Sequence, residues 1–171
     1  MAEFWDVYDK NRNKMGYTIE RGKPMSPEEY HLVVQVWIRN PAGKWLISKR
    51  TPNKHYPLLW EPTGGSVLAG EDSLTGALRE SREELGVELS PEKGSLFASF
   101  RRDMPCWENP GFLDVWVFEH DCSIESITLQ EGETCGAMWA WSVEILRMIE
   151  VGEFVPMKHF PYCKDLFKQY Q

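Results

Sequence analysis

A chain of 171 residues, 42% hydrophobic and 26% charged, is long enough to bury its own core and excludes extended disorder. The formal net charge of −7, with no Lys/Arg run longer than two, argues against a nucleic acid polymer as partner. No apolar stretch approaches the ~18 residues of a membrane span, and the first ten residues carry Glu3, Asp6 and Asp9 with no apolar leader core. Cys106, Cys122, Cys135 and Cys163 make no C-x-x-C pair, so a soluble, reduced, cytoplasmic protein is expected.

In chain order, residues 4–8 read as a short strand, 11–14 as a turn, and 20–29 as a polar arm broken by Pro24 and Pro27. Residues 30–39 (YHLVVQVWIR) are a nearly continuous β-branched and aromatic run, which predicts a strand buried on both faces. The Asn40–Gly43 turn and the strand 44–50 complete a hairpin. Residues 51–64, with Pro52, Pro57, Pro62 and Gly64, form an irregular loop. A helix follows over 73–85, with Asp72 or Ser73 as N-cap and Gly86 as the stop. Strands near 95–102, 112–119 and 135–141, a helix over 142–151 capped by Ser142, and a short helix over 161–170 complete the chain. The class is α+β, a mixed sheet covered by helices, in one domain spanning 1–171 with residues 1–29 as an N-terminal strand and arm.

The helix over 73–85 carries the chemistry. At 100° per residue, Leu74, Leu78, Ser81 and Leu85 share a buried arc, and Glu80, Glu83 and Glu84 stand on roughly the opposite face. Like charges so spaced cost about 0.2–0.5 kcal/mol per pair on a bare helix. A divalent cation turns the repulsion into ligation, because Mg²⁺ favours carboxylate oxygens, waters and phosphates. A solvated acidic face is the alternative for these three residues. The surroundings favour the metal: Gly64-Gly65 sit one short loop away, and Arg79 is placed to pair with Glu71 and brace that loop.

Gly65, Glu71 and Arg79-Glu80-Ser81-Arg82-Glu83-Glu84-Leu85-Gly86-Val87 resemble the Nudix box, G-x5-E-x7-R-E-U-x-E-E-x-G-U with U aliphatic, over residues 65–87. Each fixed position matches except one, the first U, which is Ser81. The resemblance implies an α/β/α sandwich and a Mg²⁺-dependent (or Mn²⁺-dependent) hydrolase of a diphosphate linkage in a small molecule. It implies Glu83 and Glu84 as metal ligands, Glu80 as ligand or catalytic base, the Gly64 carbonyl as a further ligand, and Glu71 and Arg79 as braces. A carboxylate from outside the box is also implied, with Glu131 and Glu133 as candidates and Glu133 nearer the following strand.

The run Tyr30-His31-Leu32, Trp37, Lys49-Arg50, Trp60 and Glu131-x-Glu133-x-Cys135 also resemble isopentenyl-diphosphate isomerase, a Nudix-fold relative. Its Cys-Gly-His element is missing here, where Pro62-Thr63-Gly64-Gly65-Ser66 stands, so isomerase chemistry is the weaker alternative. A non-catalytic binding module is another, and such modules lose box glutamates that this chain keeps. His31 reads as a core or edge histidine. Arg50 is the candidate phosphate donor, with Arg101-Arg102 a second basic pair. Trp60, Phe112 and Trp107 are candidate stacking surfaces for a substrate ring. The long arm suggests a homodimer, and the loops that select among nucleoside diphosphate-X substrates carry no motif.

Overall fold

The computed structural model describes residues 2–103 and 109–171; Cys106 and Trp107 lie outside them. β1 (Phe4–Tyr8) and β2 (Lys14–Glu20) form a separate two-stranded antiparallel sheet. β3 (His31–Arg39), β4 (Trp45–Arg50), β5 (Trp60–Glu61), β6 (Thr63–Ser66), β7 (Gly94–Arg102), β8 (Gly111–Glu119) and β9 (Thr134–Ala140) form a mixed seven-stranded sheet. α1 (Ser73–Leu85) covers one face, and α2 (Ser142–Val151) and α3 (Cys163–Gln169) cover the other. This is the α/β/α sandwich expected. No helix of the described residues is long and apolar enough to cross a membrane.

β3 organises the sheet because both of its faces are apolar. Leu32, Val34, Val36 and Ile38 pack with Ala77 and Leu85 of α1. On the other face Trp37 packs edge-on to Trp45 and Phe167, with Ile145 and Leu166 in the same cluster. β8 runs parallel to β3 along its whole length, from His31↔Gly111 to Arg39↔Glu119.

The β3–β4 hairpin differs from the sequence expectation. The two strands pair only at Ile38↔Leu46 and Arg39↔Trp45. β4 then turns away to pair with β5 and β9, and β6 takes its place against β3, from Val36↔Thr63 to Val33↔Ser66. The loop over 51–64 thus ends in two short strands. β2 is also a strand that the pattern hid: five of its seven residues are exposed, so no apolar alternation marks it. α2 begins at Ser142, but its cap is Trp141, whose N–H donates to Glu144 Oε2 at 2.7 Å.

α1 matches its expected span, with Asp72 accepting from the Thr75 N–H at 2.8 Å and Gly86 ending the helix at φ 66°. Its buried stripe is a correction. Ala77, Ser81, Glu84 and Leu85 are buried, together with Gly76, while Leu74 and Leu78 are only partly so. Ser81 spends its hydroxyl on the Val87 carbonyl, 3.1 Å away, which makes the polar departure from the box self-satisfying.

The β1–β2 hairpin docks through Arg12, whose guanidinium meets Asp114 of β8 at 2.5 and 2.7 Å. Asp114 is 1% exposed. Burial disfavours its charge, and Arg12, Ser73 and Ser99 outweigh burial to hold its pKa below the usual carboxylate value. A lowered carboxylate pKa contributes stability above the unfolded value and loses it as pH falls through the folded one. Arg12→Met is expected to cost about 3 kcal/mol at neutral pH, with the deficit shrinking as pH drops below about 4. Urea denaturation of both proteins across that pH range checks it.

Candidate active site

The exchange of β4 for β6 beside β3 opens a cleft of about 110 Å³ against the second half of α1. Two glycines let the helix come close. A Cβ on Gly64, at φ 154°, would lie 2.2 Å from the Val34 carbonyl oxygen, and one on Gly65 would lie 2.5 Å from Glu80 Oε1. Only a bare backbone allows the Glu80 carboxylate to sit over this strand.

Glu80, Glu83, Glu84 and Glu133 all line the cleft, with Gly64 and Gly65. Glu84 is 5% exposed, so it does not lie opposite the buried stripe as the helical wheel suggests. Its carboxylate accepts from Thr63 Oγ1 and from the Gly64 N–H at 3.3 Å. Burial, with Glu61 and Glu80 nearby, pushes its pKa up to about 7 against the pull of Thr63 and Lys54. Burial also raises the Glu80 pKa, against Arg79. Glu83 is the exposed member.

Arg79 holds this cluster together. It binds Glu71 at 2.8 and 3.0 Å, the Ser66 carbonyl at 2.9 Å, Glu80 at 2.8 Å and Glu83 at 3.0 Å. Glu71 also accepts from the Leu68 N–H at 3.0 Å, so the pair ties the loop after β6 to the helix. Among the described residues no three acidic, His or Cys side chains converge as a finished metal cage. The donor set nevertheless suits a hard divalent cation, since Glu80, Glu83, Glu84 and Glu133 share one small cleft with Glu3, and burial disfavours ionisation of Glu80 and Glu84.

Glu133 reaches the cleft because the segment before β9 is fastened to the end of α1. The Glu84 carbonyl accepts from the Gln130 N–H and the Thr134 hydroxyl, both at 3.1 Å. Glu131 is exposed and outside the lining. The expected substrate residues are also elsewhere. Arg50 is spent on Glu61 at 2.5 Å and the His55 carbonyl at 2.6 Å. Trp60 packs beneath Lys49, and Phe112 is 7% exposed in β8 among Tyr8 and Tyr30 rather than in a loop. His31 is a core residue, stacked on Trp5 at 4.3 Å with Nδ1 2.9 Å from the Pro110 carbonyl oxygen.

Two cleft cations were missed. Lys54 pairs with Glu133 and lies 4.0 Å from Glu84, and Arg21, just past β2, pairs with Glu3 at 2.6 Å. Both sit in irregular segments without a motif, and only the fold brings them to the box.

The NUDIX domain model matches residues 29–155. The chain belongs to the Nudix family. An uncharacterized Nudix hydrolase of Listeria monocytogenes is 35% identical over 158 residues, covering 90% of this chain and 89% of its own. The crystal structure of a Deinococcus radiodurans protein superposes with a TM-score of 0.74 at 25% identity, over 95% of this chain and 98% of that one. An isopentenyl-diphosphate isomerase of Shigella flexneri is 34% identical over 73 residues, 42% of this chain and 40% of the isomerase. The Nudix protein is accordingly an enzyme, a hydrolase acting on pyrophosphate bonds, and members of the family use divalent metal ions.

Gly65→Ala would push the Glu80 carboxylate away while leaving the backbone in an accessible conformation. Activity is expected to fall by roughly tenfold or more, with the urea midpoint close to that of the parent. A large loss of stability with unchanged specific activity would contradict the role given to Gly65.

Proposed function

We propose that this Nudix protein is a Mg²⁺-dependent hydrolase that cleaves the diphosphate linkage of a nucleoside diphosphate-X compound. The observation that carries this reading is the gathering of Glu80, Glu83, Glu84 and Glu133 in one cleft beside Arg21, Lys54 and Arg79. Glu83, Glu84, Glu80 and the Gly64 carbonyl are the groups that would hold the metal. Bound there, Mg²⁺ supplies Lewis acidity and lowers the pKa of water.

The chain's own residues do the rest. Arg79 is bound to Glu71 and the Ser66 carbonyl independently of Glu80 and Glu83, so it would hold the helix in place were those two carboxylates to ligate a metal. Lys54 and Arg21 bind phosphate oxygens and orient the linkage. Glu133 is half-exposed and lies beside Lys54, within reach of solvent; it takes the proton from the attacking water, with Glu80 the alternative base. Isomerisation is disfavoured because Pro62–Ser66 supplies neither Cys nor His.

Glu83→Gln and Glu84→Gln should each lower kcat by roughly a hundredfold or more. Parental turnover in both would sink the assignment. Without metal, ionising Glu84 opposes its burial, so its share of stability falls as pH rises from the unfolded value toward about 7. Binding a cation must displace that proton. The Mg²⁺ midpoint in a thermal-shift titration should therefore be weaker at about pH 6 than at about pH 8.

A homodimer belongs to the same reading. Phe4, Met15 and Tyr17 of the β1–β2 hairpin are exposed and would supply the contact. Sedimentation equilibrium should show a dimer that Tyr17→Glu weakens.

A further inference from the structure

Glu133 and Lys54 reach the cleft on two different turns, and one buried residue outside the cleft joins those turns. Thr51, 8% exposed, follows β4 directly. Its hydroxyl donates to the Gly132 carbonyl at 2.8 Å, and its N–H donates to the Glu133 carbonyl at 3.2 Å. Its own carbonyl accepts from the Lys54 N–H at 3.3 Å. Thr51 therefore touches the backbone of both residues, and it does not line the cleft itself.

These bonds close a ring. The turn over 130–134 is anchored to α1, where the Glu84 carbonyl accepts from Gln130 and Thr134. Thr51 carries the contacts on to Lys54, whose ammonium returns to Glu133 and stands 4.0 Å from Glu84 Oε1. The loop after β4 is closed on itself without the Thr51 hydroxyl: the Arg50 guanidinium donates to the His55 carbonyl at 2.6 Å, and the Arg50 N–H donates to the Leu59 carbonyl at 3.0 Å. In the other turn Gly132 supplies a φ of 82°. The hydroxyl thus acts between two pieces that are each folded on their own.

In the unliganded protein the Lys54–Glu133 ion pair is a second link between the turns. The proposed reaction removes it, because Lys54 turns to a phosphate oxygen and Glu133 to water, and neither then holds the other. The bonds of Thr51 are the direct link that is left. We propose that Thr51 is a positioning residue, whose hydroxyl fixes the phosphate-binding Lys54 relative to the base Glu133 during the reaction. The inference rests on the roles given to those two residues in the proposed function. Reacting groups tolerate little error in placement, since a shift of about 1 Å can cost roughly a hundredfold in rate.

Steady-state hydrolysis of ADP-ribose with Mg²⁺ tests this. Thr51→Val keeps the shape and loses the hydroxyl; kcat should fall roughly tenfold, with the urea midpoint close to that of the parent. Thr51→Ser keeps the hydroxyl and should hold kcat within about twofold of the parent. In a Glu133→Gln background Thr51→Val should cost no more than about twofold, because the base it places is already gone. A tenfold cost that persists there, or Thr51→Ser as slow as Thr51→Val, would overturn the proposal. Parental turnover in Glu133→Gln alone would instead defeat the base assignment, and the proposal with it. If ADP-ribose is not hydrolysed, hydrogen exchange decides. In Lys54→Gln, where the ion pair is gone, adding Thr51→Val should speed exchange of the amides over 51–54 and 130–134 together by roughly tenfold; unchanged exchange in either segment refutes the link.

Discussion

The architecture of the cleft depends on one electrostatic constraint: several carboxylates must be held within a few ångströms of each other, some of them out of water. Arg79 meets that constraint. It is planar, nearly buried and bound at the same time to Glu71, Glu80, Glu83 and the Ser66 carbonyl. Removing such a hub would leave uncompensated charge in a low-dielectric site, which costs far more than the hub's own burial. Glu84 solves the same problem differently. It lies on the apolar stripe of α1 and accepts hydrogen bonds from Thr63 and Gly64.

The two solutions require two backbones to approach closely, and the sheet arranges this. β3 begins its edge pairing with β6 and ends it with β4. The strand that replaces β4 carries Gly64 and Gly65 where the helix presses on it. The end of α1 is then tied to the segment before β9 through the Glu84 carbonyl, so Glu133 is placed by the same helix that carries the other glutamates.

What the sequence revealed follows from range. The span of α1, its Asp72 and Gly86 ends, and the Glu71–Arg79 pair are encoded within about two dozen neighbouring residues, and all were legible. The burial of Glu84 was not, because a helical wheel knows only one neighbour and α1 has two, the sheet and the β6 loop. Lys54 and Arg21 were illegible because they reach the cleft from an irregular loop and an arm. Arg50 ends β4 as its pattern predicts, yet Glu61, brought near by β5, takes up its guanidinium. Phe112 and Trp60 were candidates by type, and packing absorbed them.

The edge exchange on β3 also bears on how the chain assembles. The β3–β8 pairing joins segments about eighty residues apart, and the β3–β6 pairing closes a loop of some thirty. Such non-local pairings form late, after the entropy of loop closure has been met. The carboxylates of α1 meet the β6 backbone only through these long-range pairings, so the cluster has no counterpart in a local segment of the chain. Thr63–Ser66 is a four-residue strand that holds β3 on one side and Glu84 and Arg79 on the other, so the sheet and the carboxylate cluster share one short stretch of backbone.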